Sequence, residues 1–180
     1  MAIEGPSGSG KTRILRAIAD LDPVEAQIFL DGAEWRETPP EVWRRKVRYA
    51  AAEPGWWADT PRGTFVPAHL SQPRIARLLS ALGLEEDVLD RPVSALSTGE
   101  RLRIALVRAL ADEPQVLLLD EPTSALDKEA SALVEEMIRF QLLAERSVLI
   151  ASHDSGLIGR IAHARLQLAP SSPQPGRATP

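Results

Sequence analysis

The chain opens on a two-residue apolar stub, Ala2-Ile3, that runs into a polar, glycine-rich segment. Beyond it Ile14, Leu15, Ile18 and Leu21 recur at helical spacing and Pro23 follows, so the pattern predicts a helix that starts where the glycines end. Residues 27–31 predict a strand that closes in the Asp31-Gly32 turn. From Thr38 to Pro73 eight prolines or glycines interrupt the pattern, which leaves loops and short helices around one strand at 47–51. Periodicity returns in Ile75, Leu78, Leu79 and Leu82, closed by Gly83 at the position of a C-cap, and a short helix is expected over 85–89. Leu102, Ala105, Leu106, Ala109 and Leu110 then share one helical face, with Arg101, Arg103 and Arg108 turned away from it. Val116-Leu117-Leu118-Leu119 is a continuous apolar run, as expected of a parallel strand covered on both faces. Residues 148–151 repeat that signal after a helix over 128–144, which makes a βαβ unit and an α/β fold with a mostly parallel sheet.

Composition narrows the classes. The 180 residues, 44% hydrophobic and 26% charged, suit one compact domain. The absence of cysteine excludes disulfides, thiolate metal sites and cysteine nucleophiles. No apolar run approaches the roughly 18 residues that span a bilayer, and the first residues lack the basic and apolar regions of a secretory signal, so a cytoplasmic location is expected. A net charge of -4 argues against a general nucleic-acid binder. Residues 169–180, rich in proline, predict a disordered tail.

The candidate chemistry begins at Gly5-Pro6-Ser7-Gly8-Ser9-Gly10-Lys11-Thr12, which matches the phosphate-binding pattern G-x-x-x-x-G-K-[ST]. Glycines at 5, 8 and 10 let the backbone wrap so that successive N–H groups point inward as an anion nest, and the helix that follows adds its positive end. Lys11 would reach the β- and γ-phosphates of a nucleotide and the Thr12 hydroxyl would ligate Mg²⁺. The apolar strand ends in Asp120-Glu121, at the sheet edge where α/β folds bind ligands. Asp120 suits Mg²⁺, directly or through water, and Glu121 can face the γ-phosphate and polarise an attacking water. Both could also cap the next helix. Leu96-Ser97-Thr98-Gly99-Glu100 reads locally as a capping box, with Ser97 as N-cap and Glu100 three residues on.

Ordered together, Gly5 to Thr12, Ser97 to Glu100, the strand into Glu121, Pro122-Thr123-Ser124-Ala125-Leu126-Asp127 and Ser152-His153-Asp154 resemble the ATP-binding cassette family, the nucleotide-binding subunits of ABC transporters. The resemblance covers residues 5–168 and implies a P-loop α/β core with a small helical subdomain at about 52–102, within one domain over 1–168. It implies that ATP and Mg²⁺ are bound, that the chain hydrolyses ATP, and that it works as a homo- or heterodimer with a second ABC subunit. Ser97, Gly99 and Glu100 would form the signature that contacts the γ-phosphate of the opposite protomer, Ser124 and Asp127 the dimer loop, and His153 the switch histidine. A separate integral membrane subunit would turn ATP-driven closing and opening into substrate movement, with this chain peripheral at the cytoplasmic face.

The sequence departs from the family pattern in places. Ala52 stands where a glutamine is usual and cannot ligate Mg²⁺, so Glu53 is a candidate ligand if the loop shifts by one residue. Thr98 and Glu100 replace a usual glycine and glutamine but leave Ser97 and Gly99 in place. Trp56-Trp57 reads either as packing of the helical subdomain or as a socket for a coupling helix of the membrane subunit. Only four residues precede Gly5, so the N-terminal antiparallel strands of the family and its adenine-stacking aromatic residue are expected to be missing, which would leave the strand at 27–31 with an open edge. Two alternatives stay open: a soluble ABC ATPase outside transport, and a nucleotide-binding regulator that scarcely hydrolyses. His69 and His163 carry no motif and read as surface residues.

Overall fold

The computed structural model describes residues 1–170, so the expected tail lies, apart from its first two residues, outside the described residues. In chain order the elements are β1 (Ala2–Glu4), α1 (Lys11–Ile18), β2 (Phe29–Leu30), β3 (Ala33–Glu34), α2 (Pro40–Lys46), β4 (Val47–Ala50), α3 (Pro67–Leu70), α4 (Pro73–Ala81), α5 (Thr98–Leu110), β5 (Val116–Asp120), α6 (Lys128–Leu143), β6 (Ser147–Ala151), α7 (Ser155–Ile161) and β7 (Arg165–Gln167). Five strands make one sheet in the order β4-β5-β6-β1-β7, and every pairing within it is parallel. The order places β1 and β5, the two strands that carry candidate chemistry at their ends, on either side of β6.

β5 is buried along its whole length, and its alternation divides the core. Leu117 and Leu119 face a cluster with Ile104 and Val107 of α5 and Val134 and Ile138 of α6. Leu118 faces the other way, onto Leu15 of α1, Trp43 of α2 and Ile3 of β1. Each such leucine contributes about 1.5–3 kcal/mol of burial, which is why an apolar run without polar interruption marks this strand. The chain between β4 and α5 adds α3, α4 and short 3₁₀ turns, and its Ile75, Leu79, Val88 and Leu89 join the cluster of α5.

The strand expected over 27–31 is a correction. Only Phe29–Leu30 is extended, and it pairs antiparallel with Ala33–Glu34 in a separate two-stranded sheet, so its edge is not left open on that side. The cause is the turn itself. Asp31 and Gly32 both take left-handed φ, 52° and 82°, the geometry of a two-residue hairpin. The short α7 and β7 were not predicted. α7 starts on a cap, the Asp154 carboxylate accepting from the N–H groups of Gly156 and Leu157, and β7 is three exposed residues with no apolar alternation.

Candidate nucleotide site

The phosphate loop joins β1 to α1. Gly10 precedes the helix with φ 95°, a left-handed conformation that costs an L-residue strain. Gly5 is needed for a different reason: a Cβ there would lie 2.7 Å from Ser9 Oγ and 3.0 Å from the Leu168 carbonyl oxygen, where the chain after β7 bonds back to Glu4. Lys11 curls over the loop, its Nζ donating to the carbonyls of Gly5 (2.8 Å) and Pro6 (3.2 Å). Residues Ser7 to Arg13 line a cavity of about 350 Å³, and Asp120 and Glu121 at the end of β5 close its other side. Lys11, Thr12, Asp120 and Glu121, assigned from separate stretches of sequence, thus share one cavity. Arg13, not singled out by the sequence, lines it too.

Asp120 is buried, 4% exposed, and accepts a hydrogen bond from the Tyr49 hydroxyl at 2.9 Å. Burial, and then this bond, push the Tyr49 phenol well above its ordinary range. Glu121 leaves the strand with φ 47°, a strained conformation for a non-glycine residue. Local bonds hold it there: its N–H donates to Ala151, and its carbonyl accepts from the Ser124 N–H and hydroxyl. The turn throws the carboxylate toward the end of β6. There Ser152 Oγ donates to Oε2 at 3.0 Å, and His153 Nδ1 sits 2.9 Å from Oε1. A carboxylate oxygen accepts, so Nδ1–H is the donor in this contact, on a ring that is three-quarters exposed.

Other assigned residues lie elsewhere. Ser97 and Glu100 form the expected capping box of α5, with Glu100 N–H donating to Ser97 Oγ and the Glu100 carboxylate accepting from the Ser97 N–H. That backbone bond, ahead of the further bonds to Ser97 and Arg91, holds the Glu100 carboxyl below its usual range. Gly99 faces the segment after Glu121: a Cβ there would lie 3.2 Å from Leu126 Cδ2. Asp127 caps α6 by accepting from the Ala130 N–H. None of Ser97, Gly99, Glu100, Ser124 or Asp127 lines the phosphate cavity of this chain. Glu53 is exposed and also outside it. Sequence reasoning missed Tyr49 and Ser152 as contacts of the two carboxylates. Ser152 stood inside a quoted motif without a role, whereas Tyr49 is found only through strand register.

The family model described as ABC transporter matches residues 1–124. The chain belongs to the ABC transporter family. It is 36% identical over 170 residues to Protein STAR1 of Oryza sativa subsp. japonica, an alignment that covers 90% of this chain and 49% of that protein. It is 37% identical over 160 residues to the probable iron export ATP-binding protein FetA of Escherichia coli (strain K12), covering 84% of this chain and 71% of the relative. The chain therefore spans about half the length of the first of these relatives, 49%. Among solved structures it resembles the dimeric, post-hydrolysis state of the ATP-binding cassette MJ0796 bound to ADP and Pi, with TM-score 0.80 and 25% identity over 93% of this chain and 79% of that chain. The fold is thus the ABC type of the P-loop α/β class.

This ABC transporter chain has a second cavity, about 340 Å³, between β4, the loop after it and the C-terminal half of α5. Arg108 of α5 is clamped there, its guanidinium 4.9 Å from the Trp56 ring centre and 4.5 Å from that of Trp57, while Nη2 donates to the Gly55 carbonyl. Burial, and then the nearby Arg48 charge, lower its pKa. Nη1 is buried with no hydrogen-bond partner among the described residues. In the same cavity Asp112 pairs with both Arg48 and His69. His69 is therefore not the surface residue expected of it: its side chain is 16% exposed, and burial lowers its pKa. His163 is exposed, as expected. The two tryptophans differ, since Trp56 packs on the main core cluster and Trp57 is 67% exposed. No helix among the described residues is long and apolar enough to cross a membrane.

Proposed function

We propose that the chain is an ATP-binding and ATP-hydrolysing subunit of an ABC transporter, powering substrate movement through a separate membrane subunit. One observation carries the reading: Lys11, Thr12, Asp120 and Glu121 meet in one cavity, with the Glu121 carboxylate held by Ser152 and His153. The loop from Gly5 to Thr12 would bind the triphosphate through backbone N–H groups, and Lys11 would exchange its two carbonyl partners for β- and γ-phosphate oxygens. The Thr12 hydroxyl and the Asp120 carboxylate are hard oxygen donors on opposite walls of that cavity and fit Mg²⁺. When bound, the ion would neutralise phosphate charge. Glu121 would orient and deprotonate the attacking water, and His153, fixed through Nδ1, would present Nε2 to the γ-phosphate. Glu53 fits the metal site only if its loop moves; loss of Mg²⁺-dependent turnover in both Glu53→Ala and Glu53→Gln is what that role requires, and wild-type rates in both end it.

Ser97, Gly99 and Glu100, with Ser124 and Asp127, are proposed to serve the nucleotide of a second ABC subunit. Their absence from the lining of this chain's own cavity supports that division. The solved cassette with the same fold is a dimer bound to ADP and Pi, and FetA is described as an ATP-binding protein of probable iron export. Docking of the membrane subunit at the cytoplasmic face is proposed for the cavity beside Trp57, which joins an exposed indole to a buried cation. Trp56 has a packing role as well, so Trp57→Ala is the cleaner test. That variant is expected to fold and hydrolyse ATP as the wild type does, yet fail to copurify with its membrane subunit in detergent; unchanged copurification would remove the socket.

Ala52 favours one second reading, a regulator that binds ATP without hydrolysing it, because the usual oxygen ligand is absent there. Steady-state ATP turnover above that of a Glu121→Gln control supports the hydrolase. Equal rates support the regulator.

A further inference from the structure

Asp120 is the carboxylate assigned to Mg²⁺, and it reaches the cavity with one oxygen already engaged. The Tyr49 hydroxyl donates to Oδ2 at 2.9 Å. Register explains the contact. Tyr49 pairs with Leu118 across the parallel ladder of β4 and β5, and Asp120 follows two residues later on the same face. The tyrosine ring packs with Leu118 and Leu15 in the cluster under α1, which fixes the direction of its hydroxyl. Three residues further along the same chain stands Ala52, without the side-chain oxygen that the family pattern would put there.

We infer that Tyr49 is a positioning residue for Mg²⁺: its hydroxyl locks the plane of the Asp120 carboxylate so that the remaining lone pairs face the phosphate cavity. An ionised carboxylate has about four acceptor sites, and a single donor uses one of them. Outer partners of this kind orient a metal ligand, and their loss typically costs about 10- to 100-fold in metal affinity. With alanine at 52, more of the ordering of the metal site falls on Asp120, and Tyr49 is the group that supplies it. This inference rests on the proposed function.

The test is ADP binding by calorimetry to the full chain, wild type and Tyr49→Phe, first in EDTA and then across a Mg²⁺ titration. The phenylalanine keeps the ring and its packing, which thermal unfolding of both proteins checks. The expected result is equal ADP affinity in EDTA and a Mg²⁺ midpoint about 10-fold higher in the variant. An unchanged midpoint overturns the inference, and so does equal weakening with and without Mg²⁺, which marks a purely structural role. Wild-type protein that shows no Mg²⁺-dependent ADP binding would overturn the proposed function and this inference together.

Discussion

Glu121→Gln is expected to bind ATP at wild-type affinity and to lose about 10²- to 10⁴-fold in turnover, the contribution of a positioned general base. The substitution preserves shape. A glutamine carbonyl oxygen still accepts from Ser152 Oγ, which lies 3.0 Å from Glu121 Oε2, so the end of β6 stays in place. What disappears is the charge and the capacity to take a proton. The backbone at φ 47° is unaffected, because the bonds from Ser124 and to Ala151 involve only main-chain atoms of residue 121. Rapid-mix hydrolysis beside nucleotide titration separates the two quantities: retained binding with lost turnover assigns Glu121 to the chemical step, whereas loss of both would assign it to the architecture of the site.

Lys11→Ala should behave in the opposite sense and fail first in binding. A hydrogen bond to a charged group contributes about 1.5–3 kcal/mol, or roughly 10- to 100-fold in affinity. Turnover at saturating ATP should fall as well, since the same ammonium stabilises charge on the transferred phosphoryl group. The fold should survive. Lys11 is only half-buried, and its partners are the loop carbonyls of Gly5 and Pro6, which water can reach at the cavity mouth. Equal ATP affinity in wild type and variant would sink the phosphate role.

How much of this was legible in advance depends on the range of the interaction. β5 was plain, because four consecutive apolar residues, Val116 to Leu119, leave no polar gap, and α5 was plain from its single apolar face and the spacing of Ser97 and Glu100 in a capping box. The phosphate loop is local chemistry and carries its own spacing. Contacts across strands were not legible. Tyr49 and Asp120 are 71 residues apart, and only the parallel register of β4 on β5 joins them. The hairpin at Asp31-Gly32 was half read: the turn was recognised, but its second arm, Ala33–Glu34, is two residues without a strand pattern of its own. His69 was misjudged for the same reason, since its partner Asp112 lies on the loop beyond α5.

α5 joins two ends of the molecule that have so far stood apart. It runs 13 residues, about 20 Å at 1.5 Å per residue, from the Ser97 cap to Leu110. Near its far end Arg108 is gripped by Trp56 and Trp57. Glycine occurs in it only at position 99, in the first turn, so the rest is a stiff strut. In the proposed assembly, pressure on the tryptophans would tilt the strut and swing Ser97 toward or away from the neighbouring protomer's nucleotide. A movement at the membrane would thereby have, in this one helix, a stiff route to the partner's phosphates.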